Sequence, residues 1–184
     1  MSDDPPAAVN AGAEPGRLAL LIRAVLFTVL VPGTVTVWLP EYLFGDARVV
    51  RHAVGWIPIA LGTALYAGCL AQFIWIGRGT PNISFSKPVE FVIGNEPRRF
   101  VAVGVYRYTR NPMYLAIVTT LVGEAVLFGS RGLLAYAAVV WIWYHFVVVV
   151  IEEPHLRRTR GAGYEQYLHD VPRWLGASAS SRPR

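Results

Sequence analysis

Residues 104–114 read GVYRYTRNPMY, and they lead directly into an apolar segment that begins at Leu115. Pro112 has no N–H group and a fixed φ, so it suits the first turn of a helix and disfavours helix just before it. Asn111 is then a natural N-cap. The stretch therefore predicts a membrane-surface loop at the mouth of a transmembrane helix, whose free N–H groups and dipole attract an anionic ligand group.

The same polar cluster has a simpler interpretation. Arg107 and Arg110 could be ordinary arginines of a cytoplasmic loop, and the tyrosines around them could belong to the aromatic belt of a membrane protein. Composition alone favours this interpretation. Only the wider pattern of motifs supports a ligand site.

The composition is that of an integral membrane protein. The chain has 184 residues, of which 54% are hydrophobic and 16% charged, and its mean hydropathy is +0.39. A soluble domain of this size could not easily bury so much apolar surface. The net charge of +5 rests almost wholly on arginine, which membrane proteins place on cytoplasmic loops, so no nucleic-acid partner is expected. A single cysteine, Cys69, excludes a disulfide framework and a cysteine metal site.

The apolar segments predict an all-α, polytopic membrane domain over residues 17–175, between disordered tails at 1–16 and 176–184. About four transmembrane helices are expected, at 18–39, 53–77, 112–129 and 133–151. The polar connection 78–111 is expected to form a binding loop, and it could include a segment that re-enters the bilayer.

Two local features qualify these spans. Pro32 lies inside the first span and could kink it. In the second span Gly55, Gly62 and Gly68 suggest close contacts between helices.

The arginines predict the orientation. With four spans, the N-terminus, the 78–111 connection and the C-terminal segment share one side, which holds all but three of the 17 basic residues. The positive-inside rule places that side, and both termini, in the cytoplasm. The expected location is the cell (inner) membrane.

A cluster of polar side chains is expected on that side. A short turn joins the third and fourth spans into a hairpin, so Arg110, Asn111 and Tyr114 should lie near Glu152 and Glu153. Two adjacent acids at the C-terminal end of a helix disfavour each other and oppose the helix dipole. The negative charge of these two acids is balanced either by an arginine side chain or by a cationic ligand.

Two further ionisable residues fall inside predicted spans. His145 lies two turns deeper than Glu152 on nearly the same face, and Glu124 lies in the third span. Such residues are functional candidates by default. A packing role fits His145 equally well, and Glu124 is too deep to join the cluster.

Five motifs in order extend this picture. They are GRGTP at 77–81, the 104–114 stretch, EEPHL at 152–156, YEQY at 164–167 and VPRW at 171–174. Together they resemble the isoprenylcysteine carboxyl methyltransferase family, which belongs with the integral-membrane phospholipid methyltransferases. The resemblance covers about residues 77 to 175.

This resemblance implies methyl transfer from S-adenosylmethionine to a lipophilic or lipid acceptor that is a carboxylate, an amine or a thiol. The cofactor would lie at the cytoplasmic ends of the last two spans, and no metal would be required. The cofactor-binding residues carried over by the resemblance are Tyr106, Arg110, Asn111, Pro112, Tyr114, Glu152 and Glu153.

The physical properties of these groups fit that ligand. Arg110 and the helix N-terminus suit its carboxylate, the two glutamates suit its ammonium or ribose hydroxyls, and Tyr106 and Tyr114 suit its adenine or sulfonium.

The catalytic residues expected from the resemblance are Glu153 and Arg173. A carboxylate acceptor needs Arg173 nearby, whereas an amine or thiol acceptor needs a base such as Glu153 or His169. Asn111 stands where the family often has histidine, and Trp174 where it often has phenylalanine. These departures leave the acceptor open.

Two other functions stay open at this point. One is an NADPH-dependent membrane reductase of the sterol-reductase type, which needs arginines for a pyrophosphate and a 2′-phosphate. The other is a non-catalytic lipid-binding membrane protein whose polar face only anchors it.

Overall fold

The computed structural model of the protein describes residues 17–77 and 103–176, and both parts are built from helices, without a β-strand in either. The predicted all-α fold is confirmed. The predicted tails and most of the connection between the second and third spans, at 1–16, 177–184 and 78–102, lie outside the described residues.

Within residues 17–77 and 103–176, three helical segments are long and apolar enough to cross a membrane. They are Leu18–Phe44, Ala53–Gly77 and Arg131–Arg160, of 27, 25 and 30 residues. The third predicted span, Pro112–Phe128, is an apolar helix of 17 residues. The α-helices are α1 (Arg17–Leu30), α2 (Leu39–Phe44), α3 (Trp56–Gln72), α4 (Pro112–Phe128), α5 (Arg131–Val147), α6 (Glu153–Arg160) and α7 (Ala162–Asp170).

The helical segment of the first span runs to Phe44, five residues beyond the predicted end at 39, and Pro32 does not interrupt it. A π-helical turn, Thr34–Trp38, follows the proline and connects α1 to α2. The Thr36 hydroxyl donates to the carbonyl oxygen of Pro32 at 2.8 Å. Proline removes one backbone donor from a helix, and a wider turn beside it accommodates the missing bond. Glu41, which lies beyond the predicted end of the first span, is consequently part of α2.

The second and third spans pack with their backbones in contact, and glycine makes this possible. A Cβ atom on Gly55 would stand 2.4 Å from the amide nitrogen of Leu127, and one on Gly62 would stand 2.6 Å from the carbonyl oxygen of Ala116. The close contacts predicted for these two glycines are confirmed. Gly68 differs, since nothing lies within 4 Å of the position of its Cβ.

The third and fourth spans form the predicted hairpin. Gly129 ends α4 in the left-handed conformation with φ of 61°, and Ser130 caps α5 by accepting a hydrogen bond from the amide of Leu133 at 3.3 Å. The buried residues between the two helices are Ile117, Leu121, Ala137, Val140 and Tyr144. Since the turn is short, the start of α4 and the end of the fourth span lie at the same end of the molecule.

The helix of the fourth span continues beyond residue 151, where the predicted span ends. It passes through a π-helical turn, Val148–Glu152, into α6 and reaches Arg160. Pro154 lies in the first turn of α6 and cannot donate a backbone hydrogen bond, which explains the wider turn before it. The expectation that Glu152 and Glu153 sit at the C-terminal end of a helix is therefore wrong. Gly161, with φ of 58°, then turns the chain into α7.

The opposite end of the bundle contains an ion cluster that the sequence did not indicate. Glu124, 7% exposed, accepts a hydrogen bond from Arg48 at 3.2 Å, and the same guanidinium donates to Glu41 at 2.7 Å. The Arg48 guanidinium also lies 4.8 Å from the ring centroid of Phe128. Glu124 therefore fixes the connection between the first two spans onto α4, far from the 104–114 stretch.

Candidate active site

The loop before α4 is pinned to the end of the second span. Its 3₁₀ turn, Gly104–Arg107, starts at a glycine with φ of 57°, and a Cβ there would stand 2.7 Å from the side-chain oxygen of Gln72. Tyr106 is buried in a cluster with Cys69 and Met113, and burial raises its pKa well above the ordinary value. This packing sets the direction in which the following residues enter α4.

Two arginines converge on one buried carboxylate. Glu153, 7% exposed, accepts a hydrogen bond from Arg110 Nη1 at 3.0 Å, and from Arg173 Nε and Nη2 at 2.7 and 2.9 Å. The hydrogen bond to Glu153 raises the pKa of Arg173 above its ordinary value. Three charge-assisted hydrogen bonds therefore join the loop, the fourth span and the C-terminal segment.

A second pair lies beside this cluster. The Tyr114 hydroxyl, in the first turn of α4, donates to Glu152 Oε1. The Tyr114 ring lies 4.4 Å from that of the buried Tyr144, measured between centroids. The two neighbouring glutamates therefore have different partners: Glu152 binds Tyr114 at the start of α4, and Glu153 binds Arg110 in the loop before it.

Helix α7 covers the cluster with two buried tyrosines. The Tyr167 hydroxyl donates to the carbonyl oxygen of Tyr106 at 2.7 Å. The Tyr164 hydroxyl is hydrogen-bonded to Arg110, and burial raises the pKa of Tyr164 to about 12. Their spacing of three residues on an otherwise polar helix is a sequence signal that would identify this inward face.

Residues 171–176, which we call the C-terminal strap, run back across the start of α4. The amide of Arg110 donates to the carbonyl oxygen of Pro172 at 2.9 Å. The carbonyl oxygen of Arg173 accepts hydrogen bonds from Asn111 Nδ2 at 2.9 Å and from the hydroxyl of the buried Thr109 at 3.3 Å. Thr109 was not among the expected site residues, and nothing in its local sequence distinguishes it.

The structure brings most of the expected site residues together. Arg110, Glu153 and Arg173 form one ion cluster, and Tyr114 pairs with Glu152 beside it. Pro112 is buried at the start of α4, as its residue type predicts.

Three other expected residues make contacts that the sequence did not predict. Asn111 stands at the N-cap position, but its side chain does not cap the helix and holds the strap instead. Tyr106 packs in the cluster with Cys69. His169 is exposed and hydrogen-bonded to Asp170.

The comparison with known families agrees with this geometry. The family model described as phospholipid methyltransferase matches residues 51–162. The chain belongs to the phospholipid methyltransferase family. The match includes the second, third and fourth spans, Arg110 and both glutamates, and it ends before the strap. Neither a curated protein nor a solved structure matches the chain.

Family membership confirms the resemblance drawn from the five motifs. It implies a methyltransferase of the membrane, acting on a lipid-type substrate. The family match begins at residue 51, so it extends into the second span, whereas the motifs covered the chain only from residue 77.

Proposed function

We propose that the protein transfers a methyl group from S-adenosylmethionine to a membrane lipid that carries an anionic group. The observation that carries this proposal is the convergence of Arg110 and Arg173 on Glu153, beside the Tyr114–Glu152 pair. A zwitterionic nucleoside needs both a cation and a carboxylate within a short distance, and here both lie where two apolar helices meet the membrane surface.

The residues fit the cofactor. Arg110 Nε is buried and has no hydrogen-bond partner among the described residues, so one donor of this guanidinium is available to a carboxylate. Glu152 is half-buried and would take the ammonium or a ribose hydroxyl. The N-terminus of α4 adds backbone N–H groups that lack intrahelical partners. When bound, S-adenosylmethionine supplies an electrophilic methyl group, whose transfer mostly requires alignment and exclusion of water.

Glu153 is assigned a positioning role in this proposal, and not that of a base. Its carboxylate already accepts three hydrogen bonds from two guanidinium groups, and a carboxylate held in this way has little affinity for a further proton. Arg173 uses two of its five N–H donors on Glu153, and its side chain is 33% exposed. The remaining donors suit a carboxylate or a phosphate of the acceptor.

We further propose that this end of the molecule faces the cytoplasm. The basic side chains around the site support this orientation, because Arg107, Arg157 and Arg158 are exposed beside it. In that orientation a lipid of the inner leaflet presents its head group at the level of Arg173.

Cofactor binding is tested by thermal unfolding in detergent, with a thiol-reactive dye that reports exposure of the single, fully buried Cys69. S-adenosylmethionine and S-adenosylhomocysteine should each raise the transition temperature, and NADPH should not. Glu152→Gln and Arg110→Lys should reduce that rise, since lysine cannot reproduce a forked guanidinium contact. Stabilisation by NADPH alone would support the reductase. If none of the three ligands stabilises the protein, the result would favour the third function, a non-catalytic lipid-binding protein.

The acceptor is tested with methyl-tritiated S-adenosylmethionine and two lipid probes, phosphatidylethanolamine and an S-farnesylated cysteine. Arg173→Gln should raise the KM for the accepted probe by about 10- to 100-fold, the equivalent of one charged hydrogen-bonding contact of about 1.5 to 3 kcal/mol. The control is Arg158→Gln, which removes an exposed guanidinium from α6. Equal effects of the two substitutions would contradict the assignment of Arg173.

A further inference from the structure

The C-terminal strap sends two adjacent side chains to different places. Arg173 binds Glu153, whereas the indole Nε1 of Trp174 donates a hydrogen bond to His145 Nδ1 at 3.1 Å. The Trp174 ring also packs on Trp141, with 4.3 Å between the ring centroids. An indole N–H can only donate, so His145 accepts this hydrogen bond at Nδ1.

The two attachment points are far apart on one helix. His145 precedes Glu153 by eight residues, a distance of about 12 Å along the helix axis. The fourth span is continuous between them, so His145 and Glu153 are connected both through this helix and across the strap. The strap therefore bridges the polar cluster and a point two turns deeper on α5.

The surroundings of His145 make it an unusual hydrogen-bond acceptor. It is exposed on the bundle, between the exposed apolar side chains Ile142 and Phe146. A polar ring on a lipid-facing surface is costly unless it is hydrogen-bonded. Trp174 supplies that bond while it packs against the buried cluster between α4 and α5. Release of the strap would consequently expose an unpaired imidazole to lipid.

We propose that His145 is a positioning residue, which anchors Trp174 and thereby sets the guanidinium of Arg173 on Glu153. This inference rests on the proposed function for its effect on catalysis, because Arg173 is the residue assigned to the acceptor. The side-chain hydrogen bonds from Thr109 and Asn111 hold only the backbone carbonyl oxygen of Arg173. The direction of the Arg173 side chain therefore depends on how the neighbouring Trp174 is held, and His145 holds it.

The first test is a thermal double-mutant cycle that needs no substrate. His145→Phe keeps an aromatic ring but removes the acceptor, and it should lower the Cys69-reported transition by about 3 °C, the value for a contact of about 1 kcal/mol. Sites separated by about 12 Å normally behave additively. If the strap couples them, His145→Phe in the Glu153→Gln background should have less than half of its effect. An undiminished effect would overturn the proposal.

Two matched variants complete this cycle. Trp143→Phe alters a lipid-facing ring on the same helix, and its effect should be equal in both backgrounds. His145→Gln retains a hydrogen-bond acceptor and should restore most of the transition temperature. If His145→Gln is as unstable as His145→Phe, the hydrogen bond is not the anchor.

The second test separates positioning from general destabilisation. With phosphatidylethanolamine or the S-farnesylated cysteine, whichever is methylated, His145→Phe should raise the acceptor KM about fivefold and leave the affinity for S-adenosylhomocysteine unchanged. Parallel losses of both affinities would indicate a structural role only and refute the inference. If the wild-type protein neither methylates a probe nor binds S-adenosylhomocysteine, the proposed function fails, while the thermal cycle still decides whether His145 anchors the strap.

Discussion

Glu153→Gln offers the most direct measure of the ion cluster. The substitution preserves the size of the side chain and removes the charge that Arg110 and Arg173 share. Breaking a buried ion pair by removing one partner costs about 3–5 kcal/mol. The Arg173 side chain is 33% exposed and can regain water, so we expect the lower value, about 3 kcal/mol. For a chain of this length that lowers the transition temperature by about 6–12 °C.

The chain offers a matched control in Glu165→Gln. Glu165 on α7 forms an ion pair with Arg157 at 3.4 Å, and both side chains are more than half exposed. Such a surface pair contributes about 0–1 kcal/mol. In the dye assay on Cys69, the control should shift the transition by less than about 4 °C.

Repeating the same measurements at high salt distinguishes the buried ion cluster from the exposed ion pair. Added sodium chloride screens an exposed ion pair and has little effect on a buried one. The effect of Glu165→Gln should therefore disappear in high salt, while that of Glu153→Gln should persist. If both substitutions shift the transition equally, or if salt abolishes both effects, Glu153 is not a buried junction between the two arginines and the reasoning is refuted.

Three further predictions concern the remainder of the fold. Arg48→Met should destabilise the protein by about 3 kcal/mol, because it leaves Glu124 buried without its partner. Glu41→Gln, at an exposed carboxylate, should cost less than about 1 kcal/mol. The dye assay on Cys69 measures both changes. Gly62→Ala should disrupt the contact between α3 and α4, and Gly68→Ala should be neutral, as judged by yield of folded protein in detergent. Reporter domains fused in turn to the two termini should both be active in the cytoplasm, and a periplasmic signal from either would contradict the orientation.

The helical fold and the pairing at the site follow from short-range rules. Apolar length predicts the spans, and a turn between two spans forces their far ends together, which places Arg110 near Glu153. Proline at the start of α4 predicts that helix start to the residue. These inferences need only chain connectivity and local conformational preference.

Long-range contacts account for what the sequence did not predict. The bonds from Asn111 and Thr109 to the strap join residues more than sixty positions apart, and no local pattern marks them. The sequence therefore predicts that Asn111 caps α4, whereas its side-chain amide binds the carbonyl oxygen of Arg173. The continuation of the fourth span past Pro154 was also missed, because a proline usually signals a helix boundary and a π-helical turn leaves no simple sequence signature.

That π-helical turn determines the directions in which the side chains of Glu152 and Glu153 point. A π turn contains one residue more than the α-helical path needs, and one residue corresponds to a rotation of about 100° about the helix axis. If the same residues were wound as an uninterrupted α-helix, both carboxylates would be turned by about that angle relative to α5. The number of residues in one turn, and not the identity of any side chain, thus decides which acid faces the guanidinium of Arg110 and which faces the phenol of Tyr114.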